Sequence, residues 1–156
     1  MCGTRDDLSE LDGVLSDGAL VTDLDVMGTY RRDRADIVPA GVPRAVVRAA
    51  HVADVSATLS WANRHGVVVV PRGAGTGLSG GANAIDGCIV LSLERLTAIR
   101  TIDPVGQYAV VEAGVINADL GRAAAVAGLF YPPIRAASKS PPSAATWPRT
   151  PGACGA

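Results

Sequence analysis

Apolar positions change their period several times along the chain, and each change marks a new element. Leu8, Leu11 and Leu15 fall at helical intervals within residues 1–19, which predicts a short amphipathic lead-in helix. From Pro43 the pattern sharpens, and Ala45-Val46-Val47 predicts a short strand. Between His51 and His65, Val52, Val55, Leu59 and Ala62 share one helical face, and Gly66 supplies the stop. The valines at 67–70 predict a second strand, and an unbroken β-branched run suits one covered on both faces. Strand, helix and strand within about 30 residues have the size of a parallel crossover.

Cys88 to Leu93 predicts another buried strand, and Tyr108 to Val115 a further one, with Ala109, Val110 and Val111 apolar. Asn117 is placed to cap a helix over 118–127, which is rich in alanine and ends at Gly128. There the regular pattern stops. From Pro132 onward the sequence holds six of its 10 prolines and no acidic residue, so the composition breaks at that point.

Composition narrows the function classes. With 156 residues, 48% hydrophobic and 19% charged, the chain is long and apolar enough for one ordinary core. Its 14 basic and 15 acidic residues give a net charge of -1, which leaves no electrostatic footprint for nucleic acid or an anionic membrane surface. No stretch approaches the ~20 apolar residues of a transmembrane segment. The first ten residues carry Arg5, Asp6, Asp7 and Glu10 without an apolar leader, so a cytoplasmic setting is expected. Cys2, Cys88 and Cys154 are odd in number and far apart, and none clusters with His51 or His65, so neither a disulfide framework nor a metal site is expected.

The chemistry concentrates in Arg72-Gly73-Ala74-Gly75-Thr76-Gly77-Leu78-Ser79-Gly80-Gly81. In an ordered element each glycine costs about 0.5–1 kcal/mol of extra backbone entropy relative to alanine, so a run this dense calls for a reason. Bare backbone leaves amide N–H groups free to converge on an anion, and Thr76 and Ser79 add hydroxyl donors, which together make a pyrophosphate cradle. Gly75-x-Gly77-x-x-Gly80 fits the dinucleotide fingerprint, but only turn material separates Gly80 from the strand at Cys88, leaving no room for the crossover helix that fingerprint requires. Gly77-x-Ser79-x-Gly81 fits a hydrolase nucleophile elbow, yet both histidines precede Ser79, the wrong chain order for that fold. Residues 73–87 contain no lysine, which excludes a nucleotide-hydrolysing P-loop. A phosphate cradle of another design is left.

Four stretches carry a family resemblance: 68–82 around the glycine loop, 87–95 (Gly-Cys-Ile-Val-Leu-Ser-Leu-Glu-Arg), 111–115 (Val-Glu-Ala-Gly-Val) and Tyr131-Pro132-Pro133. Over about 20–133 the chain resembles the FAD-binding half of FAD-linked oxidases of the p-cresol methylhydroxylase and vanillyl-alcohol oxidase type. Within that group it is most like glycolate oxidase FAD subunits and D-lactate dehydrogenases. The resemblance implies an α+β fold: a first subdomain with a small, mainly parallel sheet and helices, then the start of a second, truncated α/β subdomain, with FAD lying between. It implies that Arg72, Gly73, Ala74, Gly75, Thr76, Gly77, Leu78, Ser79, Gly80 and Gly81 wrap the FAD diphosphate and that Pro132 lies near the flavin, the alternative for Arg72 being a solvated loop charge. With no histidine in the loop, noncovalent FAD is expected. Tyr30, Arg31, Arg32 and Asp33 match a family stretch and are expected to be an ordered lead-in. Trp61 is expected to be a packing residue, and Asp86 and Glu112 surface or turn residues. Relatives oxidise a small 2-hydroxy-acid substrate to a 2-oxo acid and pass electrons to a quinone, a protein carrier or oxygen, so an electron-acceptor partner subunit is implied. No catalytic residue is assigned, because in relatives the substrate-binding groups lie mainly in a large C-terminal domain.

Residues 134–156 depart from the family, which continues with Asp-Pro and then a segment like TIGGNVATNAGGL. Back-translation accounts for the departure. Suitable codons for residues 141–154, shifted by two bases, read TIGGNVATNAGGL, and apart from Ser143 and Arg149, whose codons begin in two ways, the residues present dictate the last two bases of the shifted codons. The same operation at Pro133-Ile134-Arg135 restores Asp-Pro. The division expected is therefore a lead-in helix at 1–19, an incomplete FAD-binding domain at 20–133, and a poorly packed tail at 134–156, out of frame on this reading, the alternative being an Ala/Pro-rich disordered segment. Three functions stay open: the FAD-binding portion of a 2-hydroxy-acid oxidoreductase, an inactive truncated remnant, and a stand-alone flavin nucleotide-binding module.

Overall fold

The computed structural model describes residues 6–35 and 38–132. The expected tail at 134–156 lies outside them. The elements in order are α1 (Asp6–Asp12), β1 (Leu20–Val21), α2 (Leu24–Gly28), β2 (Ala45–Arg48), α3 (Val52–His65), β3 (Val69–Arg72), β4 (Ile89–Ser92), β5 (Ile99–Asp103), β6 (Tyr108–Val111) and α4 (Asn117–Val126). Four strands form one sheet in the order β1-β2-β4-β3, and β5 and β6 form a separate two-stranded sheet. Strands β2, β4 and β3 run parallel, with β1 antiparallel at the edge. The register pairs Arg48 with Ser92 and Ser92 with Arg72, so the three parallel strands end level.

Alternation along the strands builds two cores, one on each face of the sheet. Ala45, Val47, Ile89 and Leu91 face one way and pack with Leu11 of α1 and with Trp61 and Ala62 of α3. Val46, Val70, Cys88 and Val90 face the other way and pack with Met27 of α2 and with Ala84. All four residues of β4 are buried, as expected for the central strand. The valine run departs from expectation. It forms the edge strand β3, starts two residues late, and leaves Val68 53% exposed. Pro71 fits that position, because an edge strand need not donate from every residue. The free thiol of Cys88 is buried in this core, and burial pushes its pKa up.

Helix α3 ends where expected, at Gly66 with φ 63°. Its buried face is rotated from the apolar stripe, however. Val52 and Leu59 are exposed, while Asp54, Thr58, Trp61 and Ala62 are buried. The reason is that two polar side chains are fully satisfied inside. The Asp54 carboxylate accepts from the backbone N–H of Ser16, Ala50 and His51 and from the Ser16 hydroxyl, and the Thr58 hydroxyl donates to the Asp54 carbonyl. Burial alone would raise the Asp54 pKa, but these hydrogen bonds outweigh it and hold the carboxyl below its ordinary value. Asp54 thereby ties the chain after α1 to the start of α3. Trp61 is a packing residue, fully buried, with the His65 ring stacked on it at 4.6 Å.

The second sheet is a hairpin. Sequence reading found β6, which ends at Val111 rather than Val115, and missed β5. Asp103 accepts from the N–H groups of Val105 and Gly106 in the turn between them. Glu112 is more than a surface residue: it accepts from the Ala98 N–H and pairs with Arg100, and these two contacts hold its carboxyl below the usual range. In α4 the N-cap is Ile116 rather than Asn117, and no side chain caps it; the Asn117 side chain instead accepts from the Tyr131 hydroxyl at 3.2 Å. Among the described residues no helix is long and apolar enough to cross a membrane.

Candidate cofactor-binding site

The glycine loop leaves the sheet at the C-terminal end of β3, the end at which all three parallel strands stop. Ligands of open α/β sheets characteristically lie at that end. No helix intervenes before β4, so the segment 73–87 is loop and turn throughout. Its first residue decides the electrostatics. Arg72 is not a solvated loop charge: it is the last residue of β3 and is 7% exposed. Among the described residues its Nη2 reaches the Thr29 carbonyl, at 3.5 Å, and its guanidinium lies 5.9 Å from the centre of the Tyr30 ring. Nε and Nη1 are buried with no hydrogen-bond partner, and so is the Thr76 hydroxyl.

Buried polar groups are nearly always paired, so three orphaned polar atoms within one glycine loop mark a place built for a polar ligand. Donors on arginine and threonine suit an anion. Gly75 has φ 66°, and a Cβ there would overlap the Arg72 guanidinium, so only glycine lets the loop close over that cation. Leu78 and Ser79 are exposed at the far side of the loop, and Leu78 is 75% exposed.

The loop rests against a second segment, the arc described at 30–35 and 38–41. The Arg34 N–H donates to the Gly77 carbonyl at 3.0 Å, the Ala84 N–H to the Arg31 carbonyl at 2.9 Å, and the Gly41 N–H to the Ala84 carbonyl at 2.7 Å. Arg31 folds back on its own arc, donating to the carbonyls of Gly41 and Ala40. Asp86 accepts from the Val42 N–H, so it is a turn residue with a bracing task. Tyr30, Arg31 and Asp33 are therefore more than an ordered lead-in, since they form the wall behind the loop. Sequence reasoning missed Asn83, buried among small residues; a lone amide in a Gly/Ala-rich turn was the available signal. Pro132 is exposed just beyond α4, after Tyr131.

A mainly parallel sheet whose C-terminal end carries a glycine loop with buried, unpartnered donors has the form of a nucleotide-binding domain. The FAD binding domain family matches residues 43–151, and the chain belongs to that family. The matched interval runs past Pro133. A D-2-hydroxyglutarate dehydrogenase of Stutzerimonas stutzeri is 35% identical over 126 residues, covering 80% of this chain and 27% of the relative. Glycolate oxidase subunit GlcD of Bacillus subtilis is 39% identical over 92 residues, covering 59% of this chain and 20% of the relative. The chain thus spans about a quarter or less of these relatives. Among solved structures, p-cresol methylhydroxylase superposes with a TM-score of 0.67 at 23% identity, over 80% of this chain and 25% of that one, which establishes the shared fold. FAD is the cofactor of the family, and the orphaned donors around Gly75 fit its diphosphate.

Proposed function

We propose that the chain is the FAD-binding portion of a flavin-dependent oxidoreductase that oxidises a 2-hydroxy acid, of the glycolate or D-lactate kind, to a 2-oxo acid. The names of the relatives support that substrate class. The observation that carries the cofactor assignment is the cluster of Arg72 Nε, Arg72 Nη1 and Thr76 Oγ1, buried and unpartnered in the glycine loop. Arg72 supplies positive charge from behind the loop, and residues 73–81 supply bare amides and the Thr76 and Ser79 hydroxyls to the two phosphates. Pro132 is assigned to the flavin side. Bound there, FAD supplies the electron acceptor, while the protein's part is to hold and orient it and to neutralise its diphosphate.

Titration of the purified chain with FAD tests this reading, with saturable quenching of flavin fluorescence as the expected result. A folded sample that takes up no FAD overturns it. Bleaching of the bound flavin by a 2-hydroxy acid would assign turnover to this chain, and a yellow sample that never bleaches would make it a binding module. For residues 134–156 we propose a shifted reading frame. Resequencing the codons for Pro133 to Cys154 is expected to find the shifted frame spelling TIGGNVATNAGGL. A coding sequence whose shifted frame spells anything else removes the proposal.

A further inference from the structure

The arc at 30–35 and 38–41 and the glycine loop are far apart in sequence, and one side chain joins them twice. Asn83 is 5% exposed, and each end of its amide is used. Its Oδ1 accepts from the Asp33 N–H at 2.7 Å, and its Nδ2 donates to the Val38 carbonyl at 2.9 Å. Both residues whose backbone it holds stand against the loop's glycines. The Asp33 carboxylate lies beside Gly77, 3.2 Å from where a Cβ would stand, and the Val38 side chain packs directly on Gly80. The Asp33 carboxylate is itself turned back to accept from the Ala35 N–H at 2.8 Å.

We infer that Asn83 is the positioning residue of the cofactor loop: by holding the backbone of Asp33 and of Val38 it sets those two residues firmly against Gly77 and Gly80. The inference rests on the reading of that loop as the FAD diphosphate cradle. The physical need is clear from the loop's composition. Glycine-rich backbone samples many conformations, and amides converge on an anion only in a few of them. Apparent affinity falls by the fraction of molecules in the competent arrangement, so a brace on the loop acts on binding without touching the ligand. An asparagine suits the task because it offers a donor and an acceptor at once, matching one backbone N–H and one carbonyl. A carboxylate lacks the donor, and an alkyl side chain of the same size strands both backbone groups in a dry site.

The test uses the 156-residue chain and two substitutions, Asn83→Leu and Asn83→Ala, each read by FAD titration and by amide hydrogen exchange. Asn83→Leu is expected to raise the FAD Kd about tenfold or more, the effect of losing two buried hydrogen bonds on loop order. It is also expected to accelerate exchange at Asp33, Arg34 and Ala84 while leaving β2 and β4 protected. Asn83→Ala leaves space for water to bond both backbone groups and is expected to show the same pattern with a smaller change; it carries the test should the leucine variant fail to fold. Unchanged Kd and unchanged exchange in either folded variant overturn the inference. The two readings fail separately. If the unsubstituted chain takes up no FAD but Asn83→Leu still loosens the arc, the brace stands and the cofactor assignment falls. If FAD binds and the variants match the parent, only the brace falls.

Discussion

Replacing Arg72 with methionine is expected to weaken FAD binding about a hundredfold while leaving the ligand-free protein as stable as before, or more so. The two effects have one cause. In the free chain the guanidinium is buried with two N–H-bearing nitrogens unpaired and no salt bridge to a described residue, and a buried cation so placed is a destabilising element. A diphosphate would satisfy it with charge-assisted hydrogen bonds, each contributing about 1.5–3 kcal/mol, and their loss gives the stated change in affinity. Methionine keeps the length and apolar stem, so β3 keeps its packing. Fluorescence titration and thermal melts of the free protein check the pair of outcomes. An Arg72→Met protein that binds FAD like the parent would show that the cation faces something other than the diphosphate.

Gly114→Ala is expected to destabilise the whole described fold by about 2–3 kcal/mol, lowering Tm by roughly 5–10 °C. Gly114 lies where the hairpin is bound to the first sheet. Its N–H donates to the Leu96 carbonyl at 2.8 Å, and a Cβ would overlap the Leu93 carbonyl and crowd that of Leu96. Both neighbours are backbone, so neither can swing aside as a side chain could. Leu93 follows β4 directly and donates to the Arg72 carbonyl, so displacement there is transmitted to the central strand. Thermal unfolding followed by circular dichroism measures the loss. A melt within a degree of the parent would show that the turn at 93–96 yields more easily than its hydrogen bonds indicate.

How much of this was legible beforehand depended on whether burial and apolar character coincide. They coincide in β4, where Ile89, Val90 and Leu91 are buried, and the strand was found within a residue of its ends. They part company in α3, because Asp54 and Thr58 are buried by virtue of hydrogen bonds to residues that hydrophobic periodicity cannot see. Order within the sheet was also hidden. Val67 to Val70 reads like a strand covered on both faces, but β4 inserts between β2 and β3 and takes the central place, a long-range pairing that no local run encodes. Strand β5 escaped because Ile99-Arg-Thr-Ile-Asp has no clean alternation and its strength lies in cross-strand pairing with β6. At the site, the loop's glycines announced themselves by density. The wall behind it did not, since Asp33, Val38 and Asn83 are ordinary residues whose role arises from contacts spanning 45 to 50 positions.

The hairpin has a consequence for how the molecule behaves in solution. Among the described residues β5 and β6 pair only with each other, and β6 is exposed along its whole length, with Tyr108 and Val110 about half accessible and Val105 at the turn almost fully so. Each strand therefore offers an outer ladder of N–H and C=O groups beside apolar side chains, the combination that lets sheets of separate molecules zip together. Arg100 and Asp103 of β5 and Glu112 just after β6 are the charges stationed on this ribbon. They act as gatekeepers against aggregation, and salt that screens them would bring the chain closer to self-association as its concentration rises.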